Sequence, residues 1–181
     1  MKEELKCFIK ADCYRYFDQR PMLLPIQLKY ILCFRKASFY GKKSLKGMYY
    51  RLRLKHLSER TGIQIPTKTV IGKGFYLGHF GTVIINPNVK IGENVNIATG
   101  VTIGKTNRGI GQGTPVIGNE VWIGTNAVIV GNIKVGDDVL IAPGAYVNFD
   151  VPSHSIVLGN PATIHKRDYA TEGYINRKYE L

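Results

Sequence analysis

Of the side chains able to move protons or hold metals, this sequence carries four histidines (His56, His79, His154, His165) and three cysteines (Cys7, Cys13, Cys33). A neutral imidazole, with an unperturbed pKa near ~6.5, can take a proton from a hydroxyl at neutral pH. His79 is the histidine placed for that work. It lies two residues after Leu77 in the run Leu77-Gly78-His79-Phe80-Gly81-Thr82, at a non-corner position of the repeat described below, where its side chain leaves the coil. The small neighbours Gly78 and Gly81 leave space around it. The alternative is an ordinary surface histidine. The cysteines, spaced by six and twenty residues, fit neither a CxxC zinc site nor a disulfide framework, and read as free thiols of a reducing cytoplasm. No metal is expected.

The element that positions His79 is a repeat. An aliphatic residue recurs every six positions at Ile65, Ile71, Leu77 and Val83, then at Ile91, Ile97 and Ile103, then at Ile117, Ile123, Ile129, Val135, Ile141 and Val147. Gly or Ala follows most of these starts directly, as at Gly72, Gly92, Gly118 and Gly136. Neither the 3.6 period of a helix nor the 2 of a simple strand yields a strict period of six with a fixed small partner. A parallel β-helix does: each hexapeptide is a short strand plus a turn, three make a triangular coil, and the aliphatic start points inward. The phase breaks twice. A two-residue slip is expected at the turn Asn86-Pro87-Asn88, and Lys105 to Val116 is expected to project as a loop, a common carrier of function on a rigid scaffold.

The rest of the composition bounds the molecule. With 181 residues, 44% hydrophobic and 21% charged, it is an ordinary globular chain of one to two domains. No apolar run reaches 18 residues, and the N-terminus carries no secretory cleavage pattern, so a cytoplasmic protein is expected. The net charge of +12 is uneven: residues 1–60 hold 15 basic and 5 acidic side chains, 15 − 5 = +10. That segment is expected to be mostly helical, over Glu3 to Phe17, Gln27 to Phe39 and Leu45 to Leu57, with breaks at Pro21 and Pro25. It can serve as a cap on the first coil, or meet an anionic partner such as a membrane surface or a lipid-linked substrate. Nucleic acid is not expected, because no nucleic-acid module accompanies the charge. The organisation expected is thus a basic, aromatic helical segment over 1–62, a β-helix over 63–165 with the loop 105–116, and a tail over 166–181. Pro152 to Ala162 is expected to cap the prism, and Ala162 to Leu181 to leave it.

Units such as IGKGFY, IGENVN, IATGVT, IGNEVW, IGTNAV and IAPGAY resemble those of the hexapeptide-repeat acyltransferases. More narrowly, GFYLGHFGTVI, TPVIGNEVWIGTNAVIVGNIKVG and VPSHSIVLGNPA resemble the serine acetyltransferase branch, which includes bacterial polysaccharide O-acetyltransferases. The resemblance implies a mainly β fold built on a left-handed parallel β-helix, a homotrimer, and acetyl-CoA as co-substrate with no metal. It implies that His79 is the general base for direct attack of an acceptor hydroxyl on the thioester. The CoA wall it implies is Gly104 and Lys105 near the thioester, then Gly124 and Thr125, then Ala142 and Pro143, with Lys166 and Arg167 toward the phosphates. A zinc site of the three-histidine hexapeptide type is not expected, since only His79 lies well placed in the repeat. Three positions depart from the serine enzymes' pattern: Gly78 and Gln64 stand where that pattern has aspartates, and Thr114 where it has a histidine. These acceptor-side residues point away from L-serine and toward a glycan hydroxyl, giving a polysaccharide O-acetyltransferase at the cytoplasmic face of a membrane. Serine O-acetylation, amino-sugar N-acetylation and a non-enzymatic β-helix scaffold are the alternatives.

Overall fold

A computed structural model describes residues 2–16 and 23–180. Phe17, Pro21 and Leu181, which enter the expectations above, lie outside the described residues. Three helices precede the repeat: α1 (Lys2–Tyr14), α2 (Ile26–Tyr40) and α3 (Leu45–Thr61). The α3 start is capped by Ser44, whose hydroxyl accepts from the Gly47 N–H, and Gly62 ends it in the left-handed conformation, φ 77°.

From Ile63 the chain winds as a three-faced parallel β-helix of about five turns. The first face holds β1 (Ile63–Gln64), β4 (Val83–Ile85), β7 (Thr102–Gly104), β10 (Val128–Val130) and β13 (Tyr146–Val147). The second holds β2 (Val70–Ile71), β5 (Lys90–Ile91), β8 (Val116–Ile117) and β11 (Lys134–Val135). The third holds β3 (Tyr76–Leu77), β6 (Asn96–Ile97), β9 (Val121–Ile123), β12 (Val139–Ile141) and β14 (Ser155–Leu158). The six-residue period becomes three buried columns: Ile85-Ile103-Ile129-Val147, Ile71-Ile91-Ile117-Val135-Val151 and Leu77-Ile97-Ile123-Ile141-Val157. Each such side chain contributes roughly 1.5–3 kcal/mol by leaving water.

The register corrects the expected place of the first slip. Leu77 pairs with Ile97, but Ile85 pairs with Ile103. Leu77 to Ile85 is therefore 85 − 77 = 8 residues, where the next coil uses 103 − 97 = 6. The two extra residues sit between β3 and β4, around Gly78–Thr82, and not at Asn86–Asn88, which form an ordinary turn closed by the Val89 N–H to Asn86 O bond. The second break behaves as a projection. After β7 the chain leaves the coil, and Thr106 and Gly113 exchange two backbone hydrogen bonds of 3.0 Å across it.

The helices close the open end of the prism. The first coil has no preceding coil to pair with, and side chains substitute for one. Tyr30 Oη accepts from the Ile65 N–H at 3.0 Å, and Arg35 donates to the Ile71 and Gly72 carbonyls, each at 2.6 Å. Asp12 accepts from the Phe75 N–H, and Arg15 donates to the Gly74 carbonyl, both at 2.9 Å. Asp12 and Arg35 also form a buried ion pair at 2.8 Å. Burial pushes the Asp12 carboxyl above its usual range, although Arg35 and the backbone donors act against it.

At the other end the expectation of a departing tail is overturned. A last strand, β15 (Thr163–Lys166), folds back antiparallel on β14, and the chain then returns along the prism toward α1. Ala170, Thr171 and Ile175 are buried in that return, Tyr174 packs on Trp122, and the Tyr179 N–H donates to Asn94 Oδ1. Ala170 and Ile175 have the second-to-third edge of the prism to cover, so the segment stays on it.

Candidate active site

His79 sits on the two-residue bulge, at the prism edge where the third face turns into the first. It is thus at a corner, not off one as expected, and the insertion is what lifts it out of the coil. Its side chain is exposed, as is that of Phe80. Gly81 ends the bulge with φ 141°, and a Cβ there would stand 2.9 Å from Thr99 Cγ2 of the next coil, so the glycine serves both the turn and the close approach.

Two residues from the helices hold the strand that leads into the bulge. The Leu77 N–H donates to Tyr16 Oη at 3.0 Å, and Tyr16 donates back to the Leu77 carbonyl at 2.8 Å. Burial pushes the Tyr16 phenol far above its usual range, against the pull of that backbone hydrogen bond, so it stays a neutral donor. Gln27 Nε2 donates to the Gly78 carbonyl at 3.4 Å, next to His79 itself. Sequence reading missed both, because their link to His79 exists only once helices and coil are packed.

The remaining candidates fall on different edges. Gly124, Thr125, Ala142 and Pro143 lie on the same edge as His79, two and three coils further along. Thr125 and Pro143 are exposed there, whereas a Cβ on Gly124 would stand 2.6 Å from Pro143 N, so that glycine is already required by the coil. Gly104 ends β7 and Lys105 follows it, on the opposite margin of the first face, at the root of the projecting loop. Lys166 and the exposed Arg167 lie at the far margin of the third face, where the Arg167 N–H donates to the His154 carbonyl. One chain therefore does not bring Gly104, Lys105, Lys166 and Arg167 to His79.

Nor does it gather the acceptor-side residues. Gly78 precedes His79, but Thr114 is at the loop root, where its hydroxyl donates to the Asn88 carbonyl at 3.2 Å. Gln64 is exposed on β1 and lines an open groove with Tyr30, Arg51 and Ser58. Among the described residues no hydrogen bond reaches the His79 imidazole. The other histidines have different roles: His154 Nδ1 lies 2.9 Å from Asp138 Oδ2, His165 Nε2 lies 3.0 Å from Thr163 Oγ1, and His56 is on the exposed side of α3. Among the described residues no group of three His, Cys, Asp or Glu side chains is gathered to hold a metal.

Residues 114–148 match the family model for bacterial transferase hexapeptide (six repeats). A Helicobacter pylori serine acetyltransferase is 36% identical over 76% of this chain and 80% of its own length. One from Bacillus pumilus is 33% identical over 86% of this chain and 75% of its own. Serine acetyltransferase 4 of Arabidopsis thaliana is 37% identical over 86% of this chain, which spans only 46% of that longer protein. Among solved structures, the serine acetyltransferase of Vibrio cholerae superposes with a TM-score of 0.75 at 26% identity, over 98% of this chain and 71% of that one. The Brucella abortus enzyme, solved in complex with coenzyme A, gives 0.74 at 29% identity, over 92% of this chain and 68% of that one.

These relatives overturn the glycan acceptor expected from Gly78, Gln64 and Thr114. The structure supplies a reason for the misreading. Within one chain Thr114 bonds to the Asn88 carbonyl at the loop root and Gln64 lines a groove beside α3, so neither stands at the His79 of its own chain. By similarity over most of the length of its bacterial relatives, and by its left-handed parallel β-helix, the chain belongs to the serine acetyltransferase family of hexapeptide-repeat acyltransferases.

Proposed function

We propose that this protein transfers the acetyl group of acetyl-CoA to the hydroxyl of L-serine, with His79 as the general base. The observation that carries the reading is an exposed imidazole on a built bulge of the prism edge, in a chain of this family. His79 removes the serine hydroxyl proton as the oxygen attacks the thioester carbonyl. The tetrahedral intermediate collapses, the C–S bond breaks, and the imidazolium returns its proton to the leaving thiolate. Backbone N–H groups at Gly104 and Lys105 are candidates to stabilise the oxyanion. Gly124, Thr125, Ala142 and Pro143 are candidates to line the pantetheine arm, and Lys166 and Arg167 to meet the phosphates.

The separation of these groups on different edges of one prism supports a site shared between copies, as in a homotrimer, in which the His79 edge of one protomer faces the loop edge of the next. The reading rests on family membership and His79, not on the three departing positions; Gly78, Gln64 and Thr114 leave the serine carboxylate and ammonium to other groups.

The test is serine-dependent release of free CoA thiol from acetyl-CoA. The expected result is turnover with L-serine that falls ~10²–10⁴-fold in His79→Ala while the thermal melt is unchanged. Absence of serine-dependent thiol release, or full turnover in the variant, would overturn it.

A further inference from the structure

Helix α3 carries an apolar stripe that nothing among the described residues covers. Leu45, Met48, Tyr49 and Leu52 fall at i, i+3, i+4 and i+7, hence on one face, and they are 83%, 50%, 56% and 71% exposed. The buried face of the same helix, through Gly47, Leu54, Leu57 and Thr61, is the opposite one. Four large exposed apolar side chains in a row on one helix differ from the scattered surface hydrophobics that need no explanation.

Charge says what covers them. From Leu23 to Ser58 the sequence has nine lysines and arginines and not one aspartate or glutamate. Lys42, Lys43, Lys46, Arg53 and Lys55 are exposed around the stripe. Arg53 donates to the Tyr49 phenol at 3.5 Å and so borders the stripe, while the Lys46 ammonium lies 5.8 Å from the Tyr40 ring centroid at the end of α2. A second copy of this face would bring the lysines and arginines of one against those of the other, with one acid per copy on that face, the exposed Glu59 two turns beyond Leu52, to answer them. A surface of anionic headgroups over an acyl layer answers both features. Leucine, methionine and tyrosine enter the boundary, while the long basic stems reach to the phosphates. Among the described residues no helix is long and apolar enough to cross a membrane, so the geometry is one of lying on the surface.

We propose that the N-terminal half of α3, with the Lys42–Lys43 turn before it, docks this protein on an anionic lipid surface. This is independent of the acceptor. His79 and the loop belong to the prism beyond the helices, so docking through α3 leaves both outside the contact.

The experiment is flotation of the full chain with vesicles of phosphatidylcholine, with and without phosphatidylglycerol, at low and high salt. The expected result is binding only to the anionic vesicles, weakening as salt rises. Leu45→Ser/Leu52→Ser and Lys42→Glu/Lys46→Glu should each weaken binding about tenfold or more, with thermal melts and acetyl-CoA turnover like the parent's. Both pairs are exposed, so neither substitution disturbs the core. Absence of binding to anionic vesicles overturns the proposal. So does binding that the leucine pair does not change, which would be charge attraction alone. A fall in oligomeric mass in solution on Leu45→Ser/Leu52→Ser would assign the face to contact between copies and overturn it as well.

Discussion

At the scale of residues, the proposed site is one imidazole and the groups that hold the backbone leading into it. Tyr16 satisfies both backbone groups of Leu77, two residues before His79. Replacing it with Phe leaves an N–H and a carbonyl without partners at the rim of the core, at a cost of about 1–3 kcal/mol. Tyr16→Phe should therefore lower the melting temperature on the order of 5 °C and lower kcat for acetyl transfer several-fold. Gln27→Ala loses only a 3.4 Å contact to the Gly78 carbonyl and should lower kcat with little change in melting. An unchanged kcat in both would show that the bulge holds His79 without the helices. The candidacy of His79 was legible from its residue type and its small neighbours, although its place in the repeat was not. Its bulge was not, because Val83 and Ile85 are both aliphatic and both inward. A period of six can be continued through either, and the slip then falls before or after β4. Only the pairing of Ile85 with Ile103 decides it.

At the scale of elements, the prism was readable because each coil repeats one physical requirement, an inward aliphatic residue beside a tight corner. The helices were readable as segments, but not their task. Asp12, Arg15, Tyr16, Gln27, Tyr30 and Arg35 each bond to the backbone of the first coil, and no local pattern announces that. The Asp12–Arg35 pair binds α1, α2 and the second and third faces together. Removing one member strands a buried charge or a buried donor, which costs about 3–5 kcal/mol for such pairs. Asp12→Ala and Arg35→Ala should each shift urea unfolding by that order. The double variant should lose less than the sum, because the second removal relieves the charge exposed by the first. Additive losses would mean that each side chain acts through its backbone bonds alone.

At the scale of the whole molecule, the return of residues 168–180 along the prism links the last coils to α1, and Asp138 is its main anchor. Its carboxylate accepts from the Ala170 N–H, the Thr171 N–H and the Thr171 hydroxyl, and pairs with His154. Burial alone would raise this carboxyl, but the bonds from His154, Thr171 and Ala170 outweigh it and hold the group below its ordinary value. A carboxyl depressed in the fold stabilises above its unfolded pKa, ~3.9, and that contribution fades as pH falls through the folded value. The segment should therefore stay docked at neutral pH and loosen below about pH 4. Trp122, the only tryptophan, lies 4.8 Å from Tyr174 of this segment and reports on it. Its fluorescence should change in that acid window in the parent protein. In Asp138→Asn the change should already be present at pH 7, together with faster amide exchange over 170–175. An acid transition in the variant identical to the parent's would place the anchor elsewhere, in the apolar seat of Ala170 and Ile175, whose burial does not titrate.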